Sequence, residues 1–300
     1  MSRRIEIVEV GPRDGLQNDP VLLPTAVKLE FIERLIAAGV TRMEAASFVN
    51  PKLVPAMADS DEVMARAPRG RARFIGLALN ERGMRRAIEA GCDEINYVMV
   101  ASEGFGKRNQ NATPEETADL FDRVAVLAHD AGVPVSATVS VAFGDPFDGE
   151  VPVKTVAELA RRAEAAGAVE IALGDTIGVA DPWDVRRRAD AVREAAPKTR
   201  LRMHFHNTRN TALANVFAAV EAGVDVIDAS TGGIGGCPFA PAATGNVATE
   251  DVVYMLHRGG YDTGLDLDAL IETAKWLETD ALKHPVESLL SKAGPFPARG

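Results

Sequence analysis

The stretch Ala38-Gly39-Val40-Thr41-Arg42-Met43-Glu44-Ala45-Ala46-Ser47-Phe48 joins the end of an amphipathic run to a short apolar run. A glycine directly after a helix can adopt the left-handed conformation that closes the last helical turn. The same pair precedes four further apolar runs, at Ala90-Gly91, Ala131-Gly132, Ala166-Gly167 and Ala222-Gly223. Two other helix ends carry proline, which also stops a helix, at Ala67-Pro68 and Ala196-Pro197. Each joint predicts a helix that leads into a strand.

Strands and helices are predicted to alternate along the whole chain. The candidate strands are Ile5–Val10, Arg42–Phe48, Arg73–Leu79, Glu94–Ala101, Val135–Phe143, Glu170–Asp175, Leu201–Asn207 and Val226–Thr231. Helical patterns lie between them, at Thr25–Ala38, Glu81–Ala90, Pro114–Ala131, Lys154–Ala166, Pro182–Ala195 and Arg209–Ala222. The strand runs are apolar on both faces, which is typical of a buried parallel sheet. Seven joints among eight strands predict an α/β fold, the (β/α)8 TIM barrel.

An open, doubly wound sheet is the structural alternative. It needs a glycine-rich phosphate loop after the first strand, and Gly11-Pro12-Arg13-Asp14-Gly15 lacks that pattern. We therefore expect residues 1–300 to form one catalytic domain, with the barrel at about residues 5–260. Beyond the barrel, Leu267–Leu282 and Pro285–Leu290 predict the helices of a C-terminal extension at about residues 265–292.

The composition restricts the class of protein. Of 300 residues, 46% are hydrophobic, and a formal net charge of −10 disfavours a nucleic-acid partner or an anionic membrane surface. Two cysteines are too few for a disulfide framework, and Cys92, just before a strand, is expected in the core. No apolar run approaches the ~20 residues that cross a bilayer. A strand-like run from Ile5 leaves no room for a cleavable leader, so we expect a cytoplasmic protein.

Candidate metal ligands lie where strands end, which is where such barrels carry their reactive groups. His204 and His206 share one face of their strand because side chains alternate along it. Asp14 follows the first strand, and Asn246 follows the glycine-rich stretch after the eighth. Two imidazoles with oxygen ligands fit a divalent cation, Mg²⁺ or Mn²⁺. A zinc hydrolase stays open, although the His-Glu-x-x-His signature is absent.

Other polar residues lie near the same strand ends. Glu44, within the second strand, needs a partner if it is buried, and Ser47 lies near the exit of that strand. Asp175 ends the sixth strand. The glycines around Cys237 either only turn the chain tightly or form a lid that carries the thiol to a substrate.

Three long motifs resemble those of the 3-hydroxy-3-methylglutaryl-CoA lyase family of metal-dependent TIM-barrel lyases. They are the stretch from Val10 to Asn18, the His-x-His strand, and the stretch from Gly235 to Asp251. The resemblance runs from about Ile5 to about Leu265. It implies cleavage of 3-hydroxy-3-methylglutaryl-CoA to acetyl-CoA and acetoacetate, by a retro-Claisen reaction.

The resemblance also implies roles for single residues. Asp14, His204, His206 and Asn246 are expected to hold the cation, which makes His204 part of the catalytic machinery. Arg13 and Cys237 are expected to act on the substrate, with Glu44 and Asp175 shaping the site and Asp175 a candidate general base. We expect substrate contacts from Arg13, Gln17 and Ser47, an acyl-CoA as the binding partner, and a homo-oligomer.

One departure from the family pattern concerns the acyl group. The metal-binding strand continues as Asn207-Thr208-Arg209, where the family usually has an aspartate at the position of Asn207. In one reading the acyl group differs, with citramalyl-CoA or a longer 3-hydroxyacyl-CoA as candidates, and Arg209 contacts an extra carboxylate; in the other the change is drift at a helix start. A condensing synthase and a non-catalytic acyl-CoA-binding barrel are the other readings. Lys107-Arg108, expected in a loop after the fourth strand, is a candidate contact for the CoA phosphates.

Overall fold

The computed structural model describes residues 2–236 and 245–297. Within them, eight parallel strands close a barrel in which each strand pairs with its neighbours in the chain and β8 pairs with β1. The strands are β1 Glu6–Glu9, β2 Arg42–Ser47, β3 Arg73–Ala78, β4 Glu94–Val100, β5 Val135–Ser140, β6 Glu170–Asp175, β7 Arg200–Phe205 and β8 Val226–Ala229. A short hairpin, Gly144–Asp145 with Gly149–Glu150, follows β5. This arrangement confirms the predicted (β/α)8 barrel.

Helices surround the barrel. They are α1 Thr25–Ala37, α2 Ser60–Arg66, α3 Glu81–Glu89, α4 Glu103–Asn109, α5 Pro114–Asp130, α6 Val153–Ala165, α7 Pro182–Ala195, α8 Ala212–Glu221, α9 Thr249–Arg258, α10 Leu267–Trp276 and α11 Leu290–Ala293. Single turns occur at Gly11–Gly15, Pro55–Met57, Thr231–Gly233 and Leu277–Ala281. In the described ranges, no helix is both long and apolar enough to cross a membrane.

The predicted helix-to-strand joints are present. The five predicted glycines all adopt positive φ, namely Gly39, Gly91, Gly132, Gly167 and Gly223. At Gly39 a side chain is also excluded by space, because a Cβ atom would lie 2.6 Å from the carbonyl oxygen of Gly264. This joint therefore requires glycine for its backbone conformation and for its close contact with the C-terminal extension.

The structure departs from several predicted positions and bounds, and β5 ends at Ser140 rather than at Phe143. Lys107 and Arg108 lie in α4, not in a loop, and α8 begins at Ala212 rather than at Arg209. The predicted helix Pro285–Leu290 is replaced by α11. The reason is that the backbone N–H groups of Glu287 and Ser288 donate to the carbonyl oxygen of Gly232, which holds this segment in a non-helical path.

The inside of the barrel is ionic at its N-terminal end, although the strand runs predicted an apolar sheet. Four side chains form a charge ladder, defined as Arg42, Glu94, Glu170 and Arg202. Arg42 Nη2 lies 2.7 Å from Glu94 Oε1 and 2.8 Å from Glu170 Oε1, and Arg202 Nε lies 3.3 Å from Glu170 Oε1. All four are buried. Removing one partner of such a buried pair typically costs about 3–5 kcal/mol.

Glu250, the second residue of α9, is fully buried and accepts hydrogen bonds from the backbone N–H of Gly232 at 3.0 and 3.1 Å. Burial raises the pKa of this carboxyl to about 8. Its protonated form therefore prevails in the folded chain at neutral pH. In the unfolded chain the group ionises near its ordinary pKa of about 4.3.

A Glu250→Gln variant is expected to be more stable than the wild type at pH 8, by on the order of a few kcal/mol, and close to it at pH 5. Between the two pKa values the folded state holds a proton that the unfolded state releases, so wild-type stability falls as pH rises. Glutamine removes that dependence and keeps an acceptor for Gly232. Urea unfolding at both pH values measures the difference. An equal change in the free energy of unfolding at pH 5 and pH 8 would contradict the assignment.

Candidate active site

A cavity of about 290 Å³ opens at the C-terminal ends of the strands. Its lining includes Arg13 and Asp14 from the turn after β1, Glu44 from β2 and Asn96 from β4. His204, His206 and Asp228 line it as well, and so does Gln17. Strands from all around the barrel therefore contribute polar groups to one mouth, which is where barrels of this kind carry their chemistry.

Arg13 and Asp14 lie in a single π-helical turn, Gly11–Gly15. The backbone N–H groups of Arg13, Asp14 and Gly15 all donate to the carbonyl oxygen of Val10, at 3.2, 2.7 and 3.1 Å. This turn folds the chain back over the end of β1 and directs both side chains into the cavity. It is closed by a tight contact, since a Cβ atom on Gly15 would lie 2.6 Å from Ile234.

Three residues form a group that can hold a metal ion, namely Asp14, His204 and His206. One ligand atom from each lies within 4.8 Å of the others, and the two imidazole centroids are 5.1 Å apart. Burial, followed by the neighbouring His204, lowers the pKa of His206 to about 4, so its ring is neutral at pH 7. Neutral imidazole and carboxylate are the donors that a divalent cation takes from such a cluster.

Asn246 adjoins this group. Its Nδ2 donates to Asp14 Oδ2 at 2.8 Å and to the carbonyl oxygen of Ile234 at 3.1 Å. Among the described residues, its Oδ1 is buried without a hydrogen-bond partner, and so is Nδ1 of His206. Buried polar atoms are almost always paired, so these two point to a missing partner. The donor set of Asp14, His204 and His206 fits a divalent cation, and Asn246 as an additional ligand stays a prediction.

Arg13 is held from two sides. Its Nε donates to Glu44 Oε2 at 2.7 Å, its Nη2 also contacts that oxygen, and its Nη1 donates to Asp14 Oδ1 at 2.6 Å. Burial opposes the positive charge, but the carboxylates of Glu44 and Asp14 raise the pKa of Arg13. The guanidinium is thus permanently charged and fixed beside the metal ligands.

Two further hydrogen bonds, made by Asn96 and Thr138, hold Glu44 in its contact with Arg13. Asn96 Nδ2 donates to Glu44 Oε1 at 3.2 Å, and Thr138 Oγ1 donates to Asn96 Oδ1 at 3.0 Å. Both Asn96 and Thr138 line the cavity. The buried Glu44 therefore has partners on both of its oxygens, as its place within a strand requires.

Asp175 is not among the residues that line the cavity, and its role as a general base or as support for the base stays a prediction. Its two oxygens accept from the backbone N–H of Val179 at 2.8 Å and of Ala180 at 3.1 Å. Burial raises its pKa to about 6, and the cavity lining includes its neighbours Gly174 and Thr176 instead. Asp175 ties down the loop after β6.

Two predicted substrate contacts differ in their position. Gln17 lines the cavity, and its Oε1 is buried without a partner. The Ser47 hydroxyl is also buried without a partner, but Ser47 is not among the lining residues. The structure therefore brings Gln17, and not Ser47, to the cavity surface.

Arg209 does not reach toward the cavity. Its Nη1 donates to the carbonyl oxygens of Ile177 and Gly178, both at 2.9 Å. Oδ1 of Asn207 accepts from the backbone N–H of Ala212 at 3.3 Å and so marks the start of α8. These contacts favour a local structural role for the departure at Asn207, and the suggested contact of Arg209 with a substrate carboxylate stays a prediction.

Arg108 and Cys92 do not line the cavity. Arg108 donates to the carbonyl oxygen of Gly104 at 3.0 Å, and its guanidinium lies 4.0 Å from the ring centroid of Phe147. Cys92 is a core residue, as predicted, and burial raises the pKa of its thiol to about 12. Cys237 lies outside the described residues.

Asp228, like Asn96 and Thr138, is a residue of the site that has no counterpart among the predictions. Asp228, in β8, lies with its Oδ2 3.2 Å from Nδ1 of His204. A carboxylate inside the apolar run Val226-Ile227-Asp228-Ala229 is the same signal that identified Glu44, and it would have found this residue too.

This chain is similar to known proteins over nearly its whole length. The HMGL-like family model matches residues 4–277. The chain is 42% identical to an (R)-citramalyl-CoA lyase of Chloroflexus aurantiacus, over 97% of this chain and 95% of that one. It is 41% identical to the mitochondrial hydroxymethylglutaryl-CoA lyase of Gallus gallus, over 97% and 98%. It also resembles the structure of an HMG-CoA lyase from Acinetobacter baumannii in complex with coenzyme A and 3-methylmalate. The TM-score is 0.94 at 38% identity, covering 99% of this chain and 97% of that one.

Proposed function

Because this chain belongs to the HMGL-like family and is an enzyme of that lyase family, we propose that it cleaves 3-hydroxy-3-methylglutaryl-CoA to acetyl-CoA and acetoacetate. The observation that carries the proposal is the convergence of Asp14, His204 and His206 beside the fixed guanidinium of Arg13. We propose Mg²⁺ or Mn²⁺ as the cation, held by these three residues and Asn246. We further propose one catalytic domain over residues 1–300, which assembles as a homo-oligomer.

The reaction has three requirements. The tertiary hydroxyl of the substrate loses its proton, the carbon–carbon bond breaks to leave acetoacetate and the enolate of acetyl-CoA, and that enolate takes up a proton. When bound, a divalent cation lowers the pKa of a coordinated hydroxyl and fixes its orientation. The protein side chains must then stabilise the enolate and deliver the final proton.

Arg13 is proposed to stabilise the enolate oxygen. A guanidinium offers directed N–H donors with a permanent charge, and such donors act best when they are fixed before the reaction begins. Glu44 supplies that fixation, because it contacts two nitrogens of the guanidinium, and Asn96 in turn donates to the other oxygen of Glu44. Cys237 is proposed to donate the proton to the enolate carbon, and Gln17 to contact the substrate.

The cleavage of (R)-citramalyl-CoA is the second candidate function, since the Chloroflexus aurantiacus relative is as similar as the hydroxymethylglutaryl-CoA lyases. The two substrates differ by one methylene between the hydroxyl-bearing carbon and the distal carboxylate. One methylene in a pocket is typically worth about 1–3 kcal/mol, or about 10–200-fold in kcat/KM. The difference is therefore large enough to measure.

The test compares kcat/KM for both thioesters with protein that is first stripped of metal and then supplied with Mg²⁺ or Mn²⁺. We expect cleavage of 3-hydroxy-3-methylglutaryl-CoA with either cation, at least about 10-fold above citramalyl-CoA. The stripped protein is expected to be inactive. A higher kcat/KM for citramalyl-CoA would make citramalyl-CoA the substrate instead. Full activity without metal would contradict the proposed need for a cation. Binding of both thioesters without cleavage would indicate a non-catalytic acyl-CoA-binding barrel.

A further inference from the structure

We infer that Asp228 is a positioning residue that fixes which nitrogen of His204 faces the cation. The inference rests on the proposed metal site. Nδ1 of His204 lies 3.2 Å from Asp228 Oδ2, while Nε2 lies 4.0 Å from Asp14 Oδ2. The two ring nitrogens thus face two different carboxylates. A proton on Nδ1, donated to Asp228, leaves the lone pair of Nε2 free on the side of Asp14 and the cation.

The other oxygen of the Asp228 carboxylate forms an ion pair with Arg202, although no hydrogen bond joins Oδ1 to Nε. Oδ1 of Asp228 faces Nε of Arg202 at 3.5 Å, and Arg202 lies 3.3 Å from Glu170 in the charge ladder. Both Asp228 and Arg202 are buried. One oxygen of Asp228 therefore faces the guanidinium of Arg202, and the other faces His204. The charge ladder is thus continuous with the proposed metal ligands.

This arrangement predicts a specific failure of Asp228→Asn. Arg202 has only donors, so it selects the amide oxygen and turns the NH₂ group toward His204. Nδ1 of His204 then has to accept a hydrogen bond from the amide, so the ring proton moves to Nε2. A protonated Nε2 has no free lone pair with which to bind the cation. Loss of a residue that orients a metal ligand typically costs about 10–100-fold in affinity. We expect the Kd for Mn²⁺ to rise by that factor, measured by the electron paramagnetic resonance signal of free Mn²⁺.

Glu94→Gln is the matched control. It also replaces a buried carboxylate of the ladder by its amide, but Glu94 contacts Arg42, Arg73 and Ser136 and has no contact with His204. We expect its Kd for Mn²⁺ to stay within about twofold of the wild type. Circular dichroism establishes that each variant is folded. An equal loss of affinity in both variants would overturn the inference, because it would mean that any weakened ladder loosens the site.

The wild-type protein provides an independent readout. Nitrogen-15 resonance of the Mg²⁺-loaded protein is expected to show the His204 proton on Nδ1, and a proton on Nε2 would overturn the inference even if Asp228→Asn failed to fold. A wild-type protein that binds no Mn²⁺ would overturn the proposed metal site and this inference together. Wild-type binding with an unchanged affinity in Asp228→Asn would overturn the inference alone.

Discussion

Replacing Arg13 by methionine is expected to lower kcat by about 10²–10³-fold while KM changes little. The physical reason is that the guanidinium is proposed to meet a negative charge that exists only as the carbon–carbon bond breaks. An interaction made only in the transition state affects kcat and kcat/KM equally. Steady-state kinetics with 3-hydroxy-3-methylglutaryl-CoA and saturating Mn²⁺ measure both constants.

Arg209→Met is the control for this experiment. Arg209 is an arginine at the same end of the barrel, but it bonds to the carbonyl oxygens of Ile177 and Gly178 and does not line the cavity. Its kcat is expected to stay within a few-fold of the wild type. If Arg13→Met instead raised KM with kcat unchanged, Arg13 would be a group that only binds substrate.

His206→Ala is expected to abolish tight binding of Mn²⁺ and to lower kcat/KM by at least about 10³-fold. A bound cation stabilises developing charge by several kcal/mol, and about 1.4 kcal/mol corresponds to a factor of ten in rate. His206 is buried, and its Nδ1 has no hydrogen-bond partner in the part of the chain that the structure describes. Metal content after gel filtration and the rate at saturating substrate measure the two effects.

Cys237→Ala separates loss of metal from loss of chemistry. If the thiol only delivers a proton, this variant should lose turnover while its metal content equals that of the wild type. A loss of metal in Cys237→Ala would make the thiol a ligand. Metal retained by His206→Ala at wild-type affinity would remove His206 from the proposed ligand set.

The fold could be predicted from the sequence because its signals are local. A glycine after Ala38 or Ala222 closes a helix whatever lies elsewhere in the chain, and the apolar run that follows can only be a strand. The bounds of α11 could not be predicted in this way. They depend on the carbonyl oxygen of Gly232 and the side chain of Asp251, which the folded chain brings to residues 287–290.

The metal group could be predicted because His204 and His206 are on one strand, where alternation fixes their common face. The roles of Asp175 and Asp228 could not be distinguished, because they depend on the register between strands. Gly174 pairs with His204, so Asp175 directs its side chain to the opposite face, whereas Asp228 pairs directly with His204 and shares its face. The register between two strands is set when the barrel closes, so it cannot be predicted from the sequence of either strand alone.

The charge ladder also determines how molecules reach the site. Arg42, Glu94, Glu170 and Arg202 fill the N-terminal half of the barrel with buried side chains, while the cavity opens at the other end. Among the described residues, these side chains therefore close the N-terminal end of the barrel. In the proposed reaction, the thioester therefore enters, and both products leave, through the opening that the described residues form at the C-terminal ends of the strands.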